Sequence, residues 1–259
     1  MRVISSVGGR FGNILFRTLT GKYLADQLGC TFEAVWEGEE TDQEYYKAIA
    51  PYFSKFVLNP DPTLWNQVKH LAVKEQGAAT YTPIPTDRDL IAIGGCRHSP
   101  RYWNDDKAYA LEIFRSDWDA EIYKFIEQVY HDVDITDLVS VHVRRGDFCS
   151  LGISVPENWY LKCLKEFEPF TRFLIISDDL PWCKTIFQGD QFVFADRSVE
   201  GFRYPEYLVD FYLQRICKHN IISNSTFSWW AAYLNETKDR KVYYPWPWNT
   251  WATGDRSEE

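Results

Sequence analysis

Leu138-Val139-Ser140-Val141-His142-Val143-Arg144-Arg145-Gly146-Asp147 is the stretch on which the fold turns. A short β-rich run passes without a break into a charged turn. Three more such runs follow it: Phe173-Leu174-Ile175-Ile176-Ser177, Gln191-Phe192-Val193-Phe194-Ala195 and Ile221-Ile222-Ser223. Lys241-Val242-Tyr243-Tyr244 is a candidate fifth. The segments between them read as helices, over 157–167 and over 207–216, where apolar residues recur at three and four. Near-continuous apolar strands alternating with helices predict a parallel sheet covered on both faces, hence an α/β protein.

Moving outward, the first half repeats the scheme less clearly. Residues 2–6 read as a strand. A Gly-rich turn and a helix over about 13–28 follow, stopped by Gly29 as a C-terminal cap. Residues 32–36 and 90–93 read as strands, and one long amphipathic helix is expected over 108–130. Residues 37–87 are polar and match no element. The 259 residues correspond to between one and two domains at about 150 residues each. The expected division is 1–131, an N-terminal lobe, and 132–259, a C-terminal lobe.

Composition removes several classes of function. Lys and Arg number 28 and Asp and Glu 37, so the net charge is 28 − 37 = −9. Duplex nucleic-acid binding needs a concentrated basic face, and no nucleic-acid partner is expected. No apolar run reaches 18 residues, so no membrane span is expected. The chain opens as a strand rather than a secretory leader, which predicts a cytoplasmic protein with reduced thiols. The six cysteines form no C-x-x-C pair and the five histidines no H-E-x-x-H spacing, so no metal site is indicated. Two Asn-x-Ser/Thr triplets, at Asn224 and Asn235, are not expected to carry glycans in such a chain. Aromatic residues make up 17% of the chain, a surplus that could serve sugars or bases as well as the core.

Open parallel sheets bind ligands at the carboxyl ends of their strands. Four polar clusters fall at such ends: Gly8-Gly9-Arg10-Phe11-Gly12-Asn13, His142 to Asp147, Ser177-Asp178-Asp179, and Ser223-Asn224-Ser225-Thr226-Phe227-Ser228. Arg144 and Arg145 can bond phosphate oxygens in a fork. Small hydroxyls at a helix N-terminus form an anion seat. Carboxylates after a strand suit ribose or a base edge. Each cluster alone could be a cap or a solvated turn. Four of them at strand ends together describe a nucleotide-diphosphate site.

These strings resemble the α-1,2-fucosyltransferases, glycosyltransferase family 11. The resemblance lies in Arg10-Phe-Gly-Asn13, His142-Val-Arg-Arg-Gly-Asp147-Phe148, Ile176-Ser-Asp-Asp179, Ser223-Asn-Ser-Thr-Phe-Ser-Trp-Trp230, and Gly95-Cys-Arg-His-Ser-Pro-Arg-Tyr-Trp103. It implies a GT-B architecture, two Rossmann-like lobes with a donor cleft between them. The implied reaction is inverting transfer of L-fucose from GDP-β-L-fucose to a glycan acceptor, commonly at O2 of galactose, with no cofactor or metal. In that picture Arg144 carries the charge that grows on GDP, and Arg145 holds local structure or a second phosphate contact. His142 and Asp178 or Asp179 meet guanosine, with Ser177 beside them. Asn224, Ser225, Thr226, Phe227 and Ser228 line the diphosphate, and Arg10 and Asn13 close over the reacting carbon. Asp147 is either the base or a brace for the arginines. The chain departs from the family where Ile14 follows Asn13 and Arg17 follows Phe16. Other readings remain: a transferase for another nucleotide sugar, a carbohydrate-binding protein without catalysis, and a structural interaction domain. Trp229 and Trp230 read as core, and Trp246, Trp248 and Trp251 as candidates for stacking on a sugar.

Overall fold

A computed structural model of the chain describes residues 1–37, 49–56, 58–73, 75, 80–197, 202 and 204–248. The chain divides into two compact units, Met1–Asp119 and Ala120–Glu259.

The first unit is a parallel sheet of four strands among the described residues, β1 (Arg2–Val7), β2 (Thr31–Trp36), β3 (Leu58–Asn59) and β4 (Leu90–Ile93), in the order β3-β2-β1-β4. Successive side chains of a strand point to opposite faces. Val3, Ile91 and Ile93 accordingly pack with Ala25 of α1 (Phe11–Gln27), while Ile4, Val35 and Ala92 pack with Trp65 and Val68 of α2 (Thr63–Val68) on the other face. Burial on both faces is why these strands read as apolar runs. Thr18 and Thr20 are buried within α1, and their hydroxyls donate back to the Ile14 and Phe16 carbonyls at 2.7 and 2.8 Å. The helix ends as the sequence predicts. Gly29 takes a positive φ of 59°, its N–H donates to Asp26 O, and the Cys30 N–H donates to Ala25 O, the paired bonds of a Schellman turn.

The second unit is a parallel sheet of five strands among the described residues, β5 (Val139–Val143), β6 (Phe173–Ser177), β7 (Phe192–Phe194), β8 (His219–Ile221) and β9 (Val242–Tyr243), in the order β7-β6-β5-β8-β9. In each unit the first strand lies inside the sheet, with the second on one side and the fourth strand introduced on the other. Strand order therefore reverses beside β1 and beside β5, the topology of Rossmann-like sheets, which seat ligands at the reversal.

The expected helix over 108–130 is corrected to two: α3 (Lys107–Ile113) and α4 (Asp119–Val129). The break has a local cause. The Ser116 Oγ accepts the Trp118 N–H at 3.1 Å, and the Asp119 carboxylate accepts the Ser116 N–H at 3.3 Å. This Ser-x-x-Asp start signal restarts the helix and was legible in the sequence. From Ala120 onward α4 belongs to the second unit, twelve residues ahead of the expected 131/132 boundary. Tyr123 packs edge-on to Tyr212, Phe125 lies on Phe202, and Arg197 pairs with Asp132 and the Val129 carbonyl. The strand expected at 221–223 is β8 at His219–Ile221, so Ile222 and Ser223 lie past its end. No helix among the described residues is long and apolar enough to cross a membrane.

Candidate active site

β5 delivers the cluster of the second unit. His142 is a strand residue, and Arg144 and Arg145 are the first two beyond the strand end. They are followed by α5 (Gly146–Ser150). The neighbouring β6 ends at Ser177, opposite Val143, so Asp178 and Asp179 emerge alongside the arginines. Asp179 caps α7 (Leu180–Ile186), accepting the Trp182 N–H at 3.2 Å. The helix between, α6 (Glu157–Leu164), packs with Cys183 of α7 and with Phe187 against β5 and β6 through Tyr160 and Cys163.

The two arginines are held rigidly. Arg144 pairs with Asp147 at 2.5 Å and with Asp178 at 2.9 Å. Arg145 pairs with Asp179 at 2.9 Å and lies 3.8 Å over the Trp182 ring, while its backbone N–H donates to Asp178 at 2.8 Å. The Arg145 guanidinium holds the Asp179 carboxyl below the usual carboxylate range, helped by the Trp182 N–H. Gly146 makes this possible, because a Cβ there would stand 2.5 Å from an Asp178 carboxylate oxygen. A side chain would push Asp178 off Arg144.

The cluster is not locally basic, since two guanidinium groups face three carboxylates. Asp178 and Asp179 serve the arginines in the free protein instead of standing open for a nucleoside. Asp147 pairs with Arg144, the contact that a brace would make.

His142 crosses the strand reversal. Its Nδ1 lies 2.8 Å from the Ser223 hydroxyl, beyond the end of β8, and Phe227 packs 5.6 Å from its ring. Burial, and then Arg144, push the imidazole down to about 3, so it is neutral at physiological pH. The second side of the reversal is the N-terminus of α9 (Thr226–Tyr233), after α8 (Tyr207–Ile216). Ser225 caps α9 by accepting the Phe227 N–H at 3.3 Å. Asn224 donates to the Ile153 carbonyl at 2.8 Å and keeps a buried Oδ1 without a hydrogen-bond partner among the described residues. Thr226 is half-buried at the first turn. Ser228 is corrected: it is fully buried, and its hydroxyl donates to the Ser225 and Ser223 carbonyls at 3.1 and 3.4 Å. It shapes the turn from behind, as Phe227 does against His142 and Phe211. The Ser177 hydroxyl accepts the Asp179 N–H at 2.9 Å.

Asparagine amides elsewhere in the unit are structural. Asn235 is fully buried and donates to Asn220 Oδ1 and the Cys217 carbonyl. With Asn224 tied to Ile153, both glycosylation triplets are built into the fold.

The first unit has a smaller cluster at its own reversal. Gly9, at φ 76°, turns the chain after β1 into α1. Arg10 is exposed at the N-terminus of α1 and makes no side-chain cap. Asn13, one turn on, lies 3.1 Å from His98, which follows β4. Arg17 pairs with Glu37, beyond the end of β2. His98 and Trp182 lie beside these clusters and were missed by sequence reasoning, as was the chemistry of Asp210 in α8. His98 lay unread within the Gly95–Trp103 string. Trp182 lies three residues past Asp179, outside the Ser177-Asp178-Asp179 cluster. Asp210 is an acid inside the apolar run of α8, and burial, with Glu206 second, lifts its carboxyl to about 7.

Of the aromatic residues, Trp230 is fully buried and Trp229 stacks on Tyr233, both in the core role expected. Trp246 is 82% exposed, and Trp251 lies outside the described residues.

The chain is similar to several known proteins. The chain is 31% identical over 242 residues to the α-1,2-colitosyltransferase of Escherichia coli, covering 89% of this chain and 78% of that protein. It is 31% identical over 141 residues to the O-antigen biosynthesis glycosyltransferase WbnK of Escherichia coli, covering 50% of this chain and 43% of WbnK. It is 33% identical over 108 residues to the galactoside 2-α-L-fucosyltransferase Sec1 of Mus musculus, covering 37% of this chain and 28% of that protein. The chain thus spans less than half the length of WbnK and of Sec1 in these matches. Among solved structures, the fucosyltransferase NodZ from Bradyrhizobium matches at a TM-score of 0.54 and 16% identity, over 89% of this chain and 91% of that one. That likeness shows the same α/β fold. Residues 44–250 match the family model described as glycosyl transferase family 11, and the chain belongs to that family.

Proposed function

We propose that the chain transfers L-fucose from GDP-β-L-fucose to a sugar hydroxyl, O2 of a galactose-type residue, with inversion at the fucose anomeric carbon. The observation that carries the reading is the Arg144–Arg145 pair at the end of β5, fixed by three aspartates beside a neutral His142 and the N-terminus of α9. Relatives named for α-1,2 transfer and for galactoside 2-α-L-fucosyl transfer support the linkage, and Sec1, with the α-1,6-fucosyltransferase NodZ soaked with GDP-fucose, supports the donor.

The chemistry follows from charge. The bond from fucose to phosphate breaks ahead of attack, so positive charge grows on the sugar and negative charge on GDP. Preorganised cations aimed at the developing charge are worth more in a shielded site than in water. Arg144 supplies that cation, Arg145 takes a second phosphate contact, and the α9 N-terminus adds its dipole. Asp147 and Asp178 keep Arg144 aimed before the donor arrives, so little reorganisation is left for the reaction itself. Neutral His142 adds a hydrogen bond without a competing charge. No metal is needed in this scheme. Asn13 is assigned a contact with the reacting sugars, as the family resemblance implies. The buried thiols of Cys163 and Cys183, pushed up to about 11 by desolvation, suit the reducing cytoplasm in which we place the protein.

The test is GDP release from GDP-fucose with a panel of galactose-terminated acceptors, with and without a chelator. Release that needs an acceptor and ignores the chelator is expected. No release with any acceptor, together with no GDP binding, overturns the reading. The colitosyltransferase relative favours a second reading, in which the same site takes colitose in place of fucose. Running the panel with both donors separates the two.

A further inference from the structure

His98 belongs to no role assigned so far. It follows β4 in the first unit, and its ring lies 4.9 Å from Phe16 and 3.1 Å, through Nε2, from Asn13 Oδ1. Both partners are on α1, so the contact ties the segment after β4 to the first turn after β1, across the strand reversal. The segment around it is itself clamped. Glu75 accepts the Arg97 N–H at 2.8 Å and also the Cys96 N–H. The fully buried Arg97 donates to the Gly94 carbonyl at 2.8 Å and the Val73 carbonyl at 2.6 Å.

The tautomer of His98 follows from its surroundings. The imidazole is neutral at pH 7, because burial, and then the charge of Arg17, bring it down to about 4. Its Nδ1 is buried and has no hydrogen-bond partner among the described residues. A proton on Nδ1 would be an orphaned buried donor, and would leave the Nε2 lone pair facing a carbonyl oxygen. A proton on Nε2 satisfies the Asn13 contact and leaves only an unpaired acceptor, the less costly choice. The ring therefore donates from Nε2 to Asn13 Oδ1. An amide whose oxygen is occupied in this way has its NH2 group turned the other way. Asn13 Nδ2 does lie on the side of the Gly8–Gly9 turn, 3.4 Å from where a Gly9 Cβ would be.

We propose that His98 is the positioning residue of Asn13: its Nε2–H holds the amide oxygen, so that Asn13 presents its NH2 group, a hydrogen-bond donor for a sugar hydroxyl or ring oxygen, at the turn after β1. The proposal rests on the reading that Asn13 contacts the reacting sugars. Asn13→Ala tests that reading separately, since turnover at the wild-type level in that variant would remove the role of Asn13 itself.

The proposal is tested with His98→Gln and His98→Phe. Gln keeps a donor within reach of Asn13 Oδ1, and Phe keeps the ring against Phe16 without the donor. We expect His98→Phe to lower kcat at least tenfold while the Kd for GDP stays within twofold, and His98→Gln to return kcat to within about threefold of wild type. A kcat within twofold of wild type in His98→Phe overturns the proposal. So does a His98→Gln variant as impaired as His98→Phe, or a GDP Kd that weakens along with kcat. Imidazole 15N spectra of the unmutated protein give an independent check should His98→Phe fail to fold. At pH 7 His98 is expected as the neutral Nε2–H tautomer, and a cation or the Nδ1–H tautomer overturns the proposal.

Discussion

The two units solve one topological problem with different chemistry. In each, a histidine bridges the strand reversal at the carboxyl edge of the sheet: His98 to Asn13 in the first, His142 to Ser223 in the second. Both rings are neutral, His142 buried and His98 half-buried. Around this shared brace the charges differ. Beside His142 stand two arginines and three aspartates, and the facing helix is capped by Ser225. Beside His98 there is one ion pair among the described residues, Arg17–Glu37, and Arg10 makes no side-chain cap on α1. The second edge is built to aim fixed cations at an anion. The first presents amide, imidazole and backbone groups, which suit uncharged hydroxyls.

Acid should separate the units most. A histidine lowered in the folded state leaves the unfolded chain binding more protons between the two pKa values, so its contribution is full above about 6.5 and is lost as pH falls towards the folded value. For His98 the window runs from about 6.5 down to about 4, and the loss is on the order of 3 kcal/mol at 1.36 kcal/mol per unit. His142 loses more, down to about 3. Asp210 has the opposite sign. Its folded pKa of about 7 lies above the ordinary 3.8, so its contribution is present at low pH and lost as pH rises to 7. Acidification from pH 7 to 4.5 should therefore open the first unit, while His142 and Asp210 offset each other in the second. Amide exchange in α1 is expected to speed up by more than that in α8. Equal acceleration in the two helices would break the comparison.

Arg144→Ala comes next. It removes the cation aimed at the leaving group, and kcat/KM is expected to fall by about 10²–10³, or roughly 3–4 kcal/mol, as for a lost oxyanion donor. The thermal midpoint should stay within a few degrees of wild type, and turnover near wild type would contradict the assignment. The caps then test the asymmetry of the two helix starts. Ser225→Ala should cost about 1 kcal/mol in a denaturant titration, because a cap bond is lost. Arg10→Ala should cost close to nothing by the same measure, having none to lose. The smallest effect belongs to Lys184→Ala, whose pair with Asp196 joins two exposed side chains. A change of about 0.2–1 kcal/mol or less is expected, shrinking as salt is added.

Legibility followed the range of the interaction. The strands β1, β5 and β6 were readable because burial on both faces leaves continuous apolar runs. The Schellman end at Gly29 was readable because one residue type fills a positive φ. The break between α3 and α4 carried its own signal, Ser116-x-x-Asp119, and the amphipathic pattern on either side masked it. Among the site residues, Arg144, Arg145, Asp178 and Asp179 were found from their place at strand ends. Their pairing was not, because residues 33 or 34 positions apart meet only once β5 and β6 are in register. Asp210 and His98 were passed over for a related reason: burial alters their chemistry, and burial belongs to the folded chain.

By itself, then, the sequence determined the class of fold, the strand ends that carry polar clusters, and the family, since these depend on local pattern and on short strings. Only the tertiary structure decided that the arginines are already balanced by carboxylates, that Ser228 faces inward, and that a neutral histidine spans each reversal. Those features depend on distances between residues far apart in the chain and on the low dielectric of the interior, and neither exists before the sheets have formed.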